Sequence, residues 1–94
     1  MEGFEIKVFD LSHVPEAAEI ERLCFSEPWS ENALTYMCTS QNTYAISVID
    51  KATGRLAAYG GAQYVLDEAN IVNIATHPDY RRRGCASAIM HALE

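Results

Sequence analysis

From Phe4 to Phe9 the chain alternates apolar and polar residues, which predicts a half-buried strand. Asp10 and Ser12 are placed to cap the next element, and Pro15 with Glu16 beside it suits the first positions of a helix. Val14, Ala17, Ala18, Glu21, Leu23 and Cys24 form a mostly apolar stripe at helical spacing, so a helix is expected from about Pro15 to Phe25. Phe25 to Ser30 reads as a connector, and Ser30 is a good N-cap for a short second helix over about Glu31 to Thr39.

The pattern then changes period. Thr43 to Ile49 is β-branched and aromatic, hence a strand; Asp50 to Gly54 is a turn, and Arg55 to Leu66 is a longer strand. Gly60-Gly61 inside that strand predicts a bend, a bulge or the close approach of another backbone. Asp67-Glu68-Ala69-Asn70 reads as a further turn and Ile71 to Thr76 as the next strand, ended by His77 and Pro78. From Gly84 onward, Ala86, Ile89, Met90 and Leu93 mark an amphipathic helix. The order is strand, two helices, three antiparallel strands and a helix, which is an α/β (α+β) fold.

A chain of 94 residues makes one domain at most, and 49% hydrophobic content excludes general disorder. No apolar run approaches the roughly 20 residues of a membrane span, and the first residues lack a signal peptide's basic and apolar regions. A soluble, cytoplasmic protein with no membrane partner is expected. Cys24, Cys38 and Cys85 have no pairing pattern, so reduced and mostly buried thiols are expected. His13, His77 and His91 are too scattered to complete a zinc site, and no metal is expected.

Charge sharpens the picture. The net charge is −6, and eight of the 13 acids precede residue 32, whereas three of the seven basic residues form the triplet Arg81-Arg82-Arg83. An acidic chain with one compact basic spot does not read as a nucleic-acid binder. It reads as a protein that holds one small polyanion. That spot lies in Asn73-Ile74-Ala75-Thr76-His77-Pro78-Asp79-Tyr80-Arg81-Arg82-Arg83-Gly84-Cys85-Ala86, a strand, a tight loop and a helix start. Free amides at a helix N-terminus, the positive end of the helix dipole and guanidinium charge together suit a phosphate or pyrophosphate. Gly84 leaves room for such a group and Ala86 is small; one or two of the three arginines are expected to touch it and the rest to add field.

Arg81-x-x-Gly84-x-Ala86, with Ile74-Ala75-Thr76 and Pro78 before it, resembles the acyl-coenzyme-A motif of the GNAT N-acetyltransferases. Val65 to Ala75, Pro78 to Arg82 and Glu27-Pro28-Trp29-Ser30-Glu31 are similar to its ribosomal-protein-alanine N-acetyltransferase branch. The resemblance implies a GNAT-like, mostly antiparallel sheet, with residues 1–94 forming one GNAT domain truncated after its coenzyme-binding helix. It implies acetyl-coenzyme A as co-substrate, held by Ile74, Ala75, Thr76, Arg81, Arg82, Arg83, Gly84, Cys85, Ala86 and Ser87. Free backbone groups near Ile74 and Thr76 would pair with the pantetheine arm, and an N–H there would stabilise a developing oxyanion.

The implied acceptor is the N-terminal α-amine of a ribosomal protein, with Trp29 either lining the peptide groove or serving the core. The family's catalytic Glu and Tyr would lie beyond Glu94. Glu68 and Tyr80 are read as a turn residue and a packing residue, so no catalytic residue is assigned and a weakly active or inactive chain is expected. Action on another amine, or a non-catalytic coenzyme-binding module, stay open as alternatives. A chain ending there would expose Ile89, Met90, Leu93 and the edge of Ile71–Thr76, so self-association or complementation is expected.

Overall fold

A computed structural model describes residues 3–39, 42–65 and 68–93. Four strands, β1 (Phe4–Val8), β2 (Thr43–Asp50), β3 (Leu56–Val65) and β4 (Glu68–Thr76), form an antiparallel sheet in the order β1-β2-β3-β4. Helices α1 (Val14–Cys24) and α2 (Glu31–Thr39) enter between β1 and β2, and α3 (Cys85–Leu93) comes after β4. Two core clusters result. One joins Val14, Ala17, Ala18 and Ile20 of α1 and Leu34 and Met37 of α2 to Ala45, Tyr59 and Ala75. The other joins Cys85 and Ile89 of α3 to Ile46, Val48, Ala58 and Ala62 of the sheet.

The element order is as expected, and several details differ. Asp10 caps a separate single-turn 3-10 helix, Leu11–His13, accepting from the Ser12 amide at 2.8 Å, and α1 begins after it with Pro15 in its first turn. Ser30 caps α2 as expected, its hydroxyl accepting from the Ala33 amide at 3.2 Å. In α1, Leu23 is exposed and Ile20 is buried in its place, because the helix meets the sheet on the line through Val14, Ala17, Ala18 and Glu21.

Strand β1 is not half-buried. Ile6 is 42% and Val8 59% exposed, since β1 is an edge strand and α3 packs on β2, β3 and β4. Glu68, Ala69 and Asn70 are not a turn: they pair with Val65, Tyr64 and Gln63, so β4 starts earlier than its β-branched residues suggest. The expected turn residue Asp67 and strand residue Leu66 lie outside the described residues. Ile89, expected on an exposed face, is fully buried, whereas Met90 is 48% exposed.

Gly60 and Gly61 are explained by both helix layers. A Cβ on Gly60 would stand 2.6 Å from Ile89 Cγ2, and one on Gly61 would stand 2.6 Å from Met37 Sδ. The pairing of β3 with β4 also shifts register between Gly61 and Ala62, a bulge that two residues without side chains accommodate.

Candidate functional site

Strand β4 leaves the sheet at His77, whose N–H donates to the Ala57 carbonyl at 2.8 Å. In an antiparallel strand alternate residues send both backbone polar groups to the same side. His77 and Ala75 therefore face β3, and Ile74 and Thr76 turn their N–H and C=O groups away from it. The Thr76 carbonyl bears this out, accepting from Cys24 Sγ at 3.2 Å rather than from a strand.

A single-turn 3-10 helix, Pro78–Tyr80, then reverses the chain, capped by His77, whose Nδ1 accepts from the Asp79 amide at 3.1 Å. Tyr80 anchors the turn. It is buried, meets Phe4 edge-on at 5.9 Å and donates its hydroxyl to Asp50 Oδ2 at 2.7 Å. That bond and the Ala52 amide hold the Asp50 carboxyl below the ordinary carboxylate range.

Between Tyr80 and α3 the backbone is left-handed twice, at Arg82 (φ 65°) and Gly84 (φ 79°). For Gly84 this is a second reason for the residue, beyond room for a ligand: its conformation demands glycine, although a Cβ there would meet nothing within 4 Å. A non-glycine residue held at positive φ, as Arg82 is, marks a backbone constrained by its surroundings. The Ala88 amide is bonded to the Gly84 carbonyl at 3.0 Å. The amides before it, in the first turn of α3, have no acceptor within the helix and carry the positive end of its dipole.

These pieces line one open groove of about 480 Å³. Nine of the ten residues expected to hold a coenzyme lie on it: Ile74, Ala75, Thr76, Arg81, Arg82, Gly84, Cys85, Ala86 and Ser87. Arg83 does not; its guanidinium sits over the Tyr80 ring, 5.6 Å from the centroid, and adds field from one side. Cys24 and Phe25, at the end of α1, and Tyr80 complete the lining, and none of the three was expected there. Arg81 Nη2 lies 3.4 Å from Cys24 Sγ, tying the basic loop to α1 across the groove. Cys85 is buried and burial raises its thiol pKa, with the Arg83 charge opposing, so it packs as a neutral thiol.

Phe25 also lines a second cavity of about 230 Å³, shared with Glu21, Ser26, Glu27, Trp29 and Asn73. Trp29, half-buried, both packs against the α1–α2 core and lines this cavity, so its two sequence readings are compatible. Glu21 is 1% exposed, and its carboxylate takes the Trp29 amide at 2.9 Å, the Asn73 side-chain amide at 2.6 Å and the Tyr59 hydroxyl. Burial and that carboxylate hold the Tyr59 phenol far above the ordinary tyrosine range. The signal for Glu21 was present in the sequence, as the one acid on an otherwise apolar helical stripe.

A sheet whose β4 turns backbone groups outward beside a helix N-terminus and a basic loop can take a long ligand with an anionic end. The match to known proteins agrees: residues 14–94 fit the acetyltransferase (GNAT) family, and the chain belongs to that family. It is 33% identical over 88 residues to the ribosomal protein bS18-alanine N-acetyltransferase of Escherichia coli (strain K12), covering 94% of this chain and 57% of that protein. It is 32% identical over 87 residues to a putative enzyme of the same name from Bacillus subtilis (strain 168), covering 93% of this chain and 55% of that protein.

The chain thus spans little more than half the length of the curated relatives it matches. Among solved structures, the Escherichia coli ribosomal-protein-S18-alanine N-acetyltransferase superposes with a TM-score of 0.84 at 31% identity, over 96% of this chain and 56% of that one. The PaiA N-acetyltransferase of Thermoplasma acidophilum, solved in complex with coenzyme A, shares the fold at 12% identity, with a TM-score of 0.80 over 95% of this chain and 68% of that one.

Proposed function

We propose that this protein serves acetyl transfer from acetyl-coenzyme A to an amine, and that the amine is the N-terminal α-amino group of a ribosomal protein. The observation that carries the first half is the helix-start loop at the head of the groove, with Arg81, Arg82 and Gly84 on one lining. The residues fit a pyrophosphate. The first-turn amides of α3 offer donors, Gly84 opens space where a Cβ would stand free, and two exposed guanidinium groups supply charge.

The outward backbone groups of Ile74 and Thr76 would hold the extended arm as an added strand, with Cys24, Phe25 and Ala75 against its flank. The coenzyme would supply the acetyl group as a thioester; the chain's part is to bind it, orient it and keep its anionic end fixed. The acceptor half rests on the 33% identity to the bS18-alanine enzyme and on the second cavity at Trp29, which adjoins the groove through Phe25. An acceptor of this kind places the reaction in the cytoplasm.

Calorimetry with coenzyme A tests the binding half: wild-type chain should bind, and Gly84→Val should lose most of the affinity through exclusion and through its backbone. Equal affinity in both removes the site from this loop. Release of free coenzyme A from acetyl-coenzyme A, measured with alanine-ended ribosomal peptides against lysine-bearing ones, tests the acceptor.

A further inference from the structure

The second cavity has an electrostatic character that the groove beside it lacks. Glu21 accepts from the Trp29 amide, the Asn73 carboxamide and the Tyr59 hydroxyl, three neutral donors. Among the described residues no Lys, Arg or His pairs with it. A buried carboxylate held only by neutral donors has no cation beside it to cancel its field, which a low-dielectric wall directs into the adjoining cavity. Asn73 carries the effect to the surface. Its Nδ2 donates to Glu21 and, at 3.1 Å, to Tyr59, and among the described residues its carboxamide oxygen accepts from none, which leaves that oxygen for a ligand. Both residues line the cavity, and Asn73 is next to Ile74 of the groove on the same strand.

We propose that Glu21 is a positioning residue for specificity: acting through Asn73, it makes the Trp29 cavity select an acceptor whose end carries a positively charged amino group. This rests on the reading of that cavity as the acceptor's. The ammonium meets the field of Glu21 and the oxygen of Asn73, while the apolar part of the acceptor lies against Trp29 and Phe25. Glu27, exposed at the rim, can steer an amine toward the mouth but is screened by solvent there.

Trp29 is the only tryptophan of the chain, so its fluorescence reports occupancy of this cavity directly. A short alanine-ended peptide with a free N-terminus and the same peptide acetylated at its N-terminus are titrated into the full chain. Coenzyme A binding is measured separately. The wild type should prefer the free amine by about tenfold or more, the weight of one charge-assisted contact. Glu21→Gln should bind both peptides alike with coenzyme A affinity unchanged, and Glu27→Gln should keep the preference.

A preference that persists in folded Glu21→Gln overturns the proposal, as does its loss in Glu27→Gln alone. Should Glu21→Gln not fold, Asn73→Ala carries the test, and an undiminished preference there overturns it. A wild type that binds coenzyme A but does not distinguish the peptides refutes the inference and leaves the coenzyme reading standing. Discrimination without coenzyme A binding refutes only the coenzyme reading.

Discussion

The Tyr80 hydroxyl donates to Asp50 Oδ2 at 2.7 Å, joining the loop that precedes α3 to the turn between β2 and β3. The bond lowers the Asp50 carboxyl pKa and raises that of the Tyr80 phenol, so both groups are held in the protonation states the bond requires. For Asp50, whose folded pKa is depressed, the stabilisation is present above its ordinary value of 3.8 and is lost as the pH falls through the lower, folded value. For Tyr80, whose folded pKa is raised, it is present below the ordinary 10.0 and is lost as the pH rises through the higher value.

Tyr80→Phe should therefore lower Tm at neutral pH. The difference from wild type should stay constant across the middle of the pH range, shrink below pH 3.8 and shrink again above pH 10.0. Thermal melts of both proteins against pH check this. A gap of the same size at acid pH would mean that the loss did not come from the bond to the Asp50 carboxylate.

Gly60→Ala should destabilise the fold by about 1–3 kcal/mol, the range for forcing a methyl into a packed core. The new Cβ would stand 2.6 Å from Ile89 Cγ2 and 3.2 Å from the Asn73 carbonyl, so α3 must shift. Urea titration reads the cost. In an Ile89→Ala background the same substitution should cost less, because the nearest atom is gone, and the double-mutant cycle should give a clear coupling. Strict additivity would place the strain elsewhere.

What could be read from the chain alone was what is local. Ser30 before a helical run, Pro78 ending a strand and Gly84 opening α3 act through their own backbone and through neighbours a few residues away. Their elements fell where expected to within a residue or two. The misses were non-local. Ile6 and Val8 alternate like a buried strand, but their exposure depends on α3 packing elsewhere on the sheet. Glu68 to Asn70 have turn-like composition, but strand pairing with Val65, Tyr64 and Gln63 overrides propensity.

At the site, the loop residues could be named from their motif. That Cys24 and Phe25 close the groove, and that Glu21 meets Asn73 from 52 positions away, required the tertiary fold.

Thiol chemistry should separate the three cysteines. Cys85 is buried and burial raises its pKa; Cys38 is raised too, by burial and then by the Asp10 charge. Under native conditions alkylation should label Cys85 last, and only on a timescale set by opening of α3. Mass spectrometry after timed iodoacetamide treatment reads the order. If the groove holds coenzyme A, saturating coenzyme should slow labelling of Cys24, which lines it, and leave Cys38 unaffected. Early labelling of Cys85 would contradict its packing role.

The three consecutive arginines should not be equivalent. Arg81 and Arg82 line the groove and Arg83 lies over the Tyr80 ring. Arg81→Ala should weaken coenzyme A binding by about 1.5–3 kcal/mol, roughly ten- to a hundredfold, as loss of a charged contact does. Arg83→Ala should cost several times less in affinity, and its effect should fade with added salt because it acts only through the field. Arg82→Gly separates conformation from charge. Relief of a left-handed residue and the looser unfolded chain oppose each other, so stability should move by less than about 1 kcal/mol. Coenzyme A affinity should still fall as the guanidinium is lost. Calorimetry at two salt concentrations on the three variants decides the ranking. If Arg83→Ala proves the most damaging, the pyrophosphate sits at Arg83 rather than beside Arg81 and Arg82.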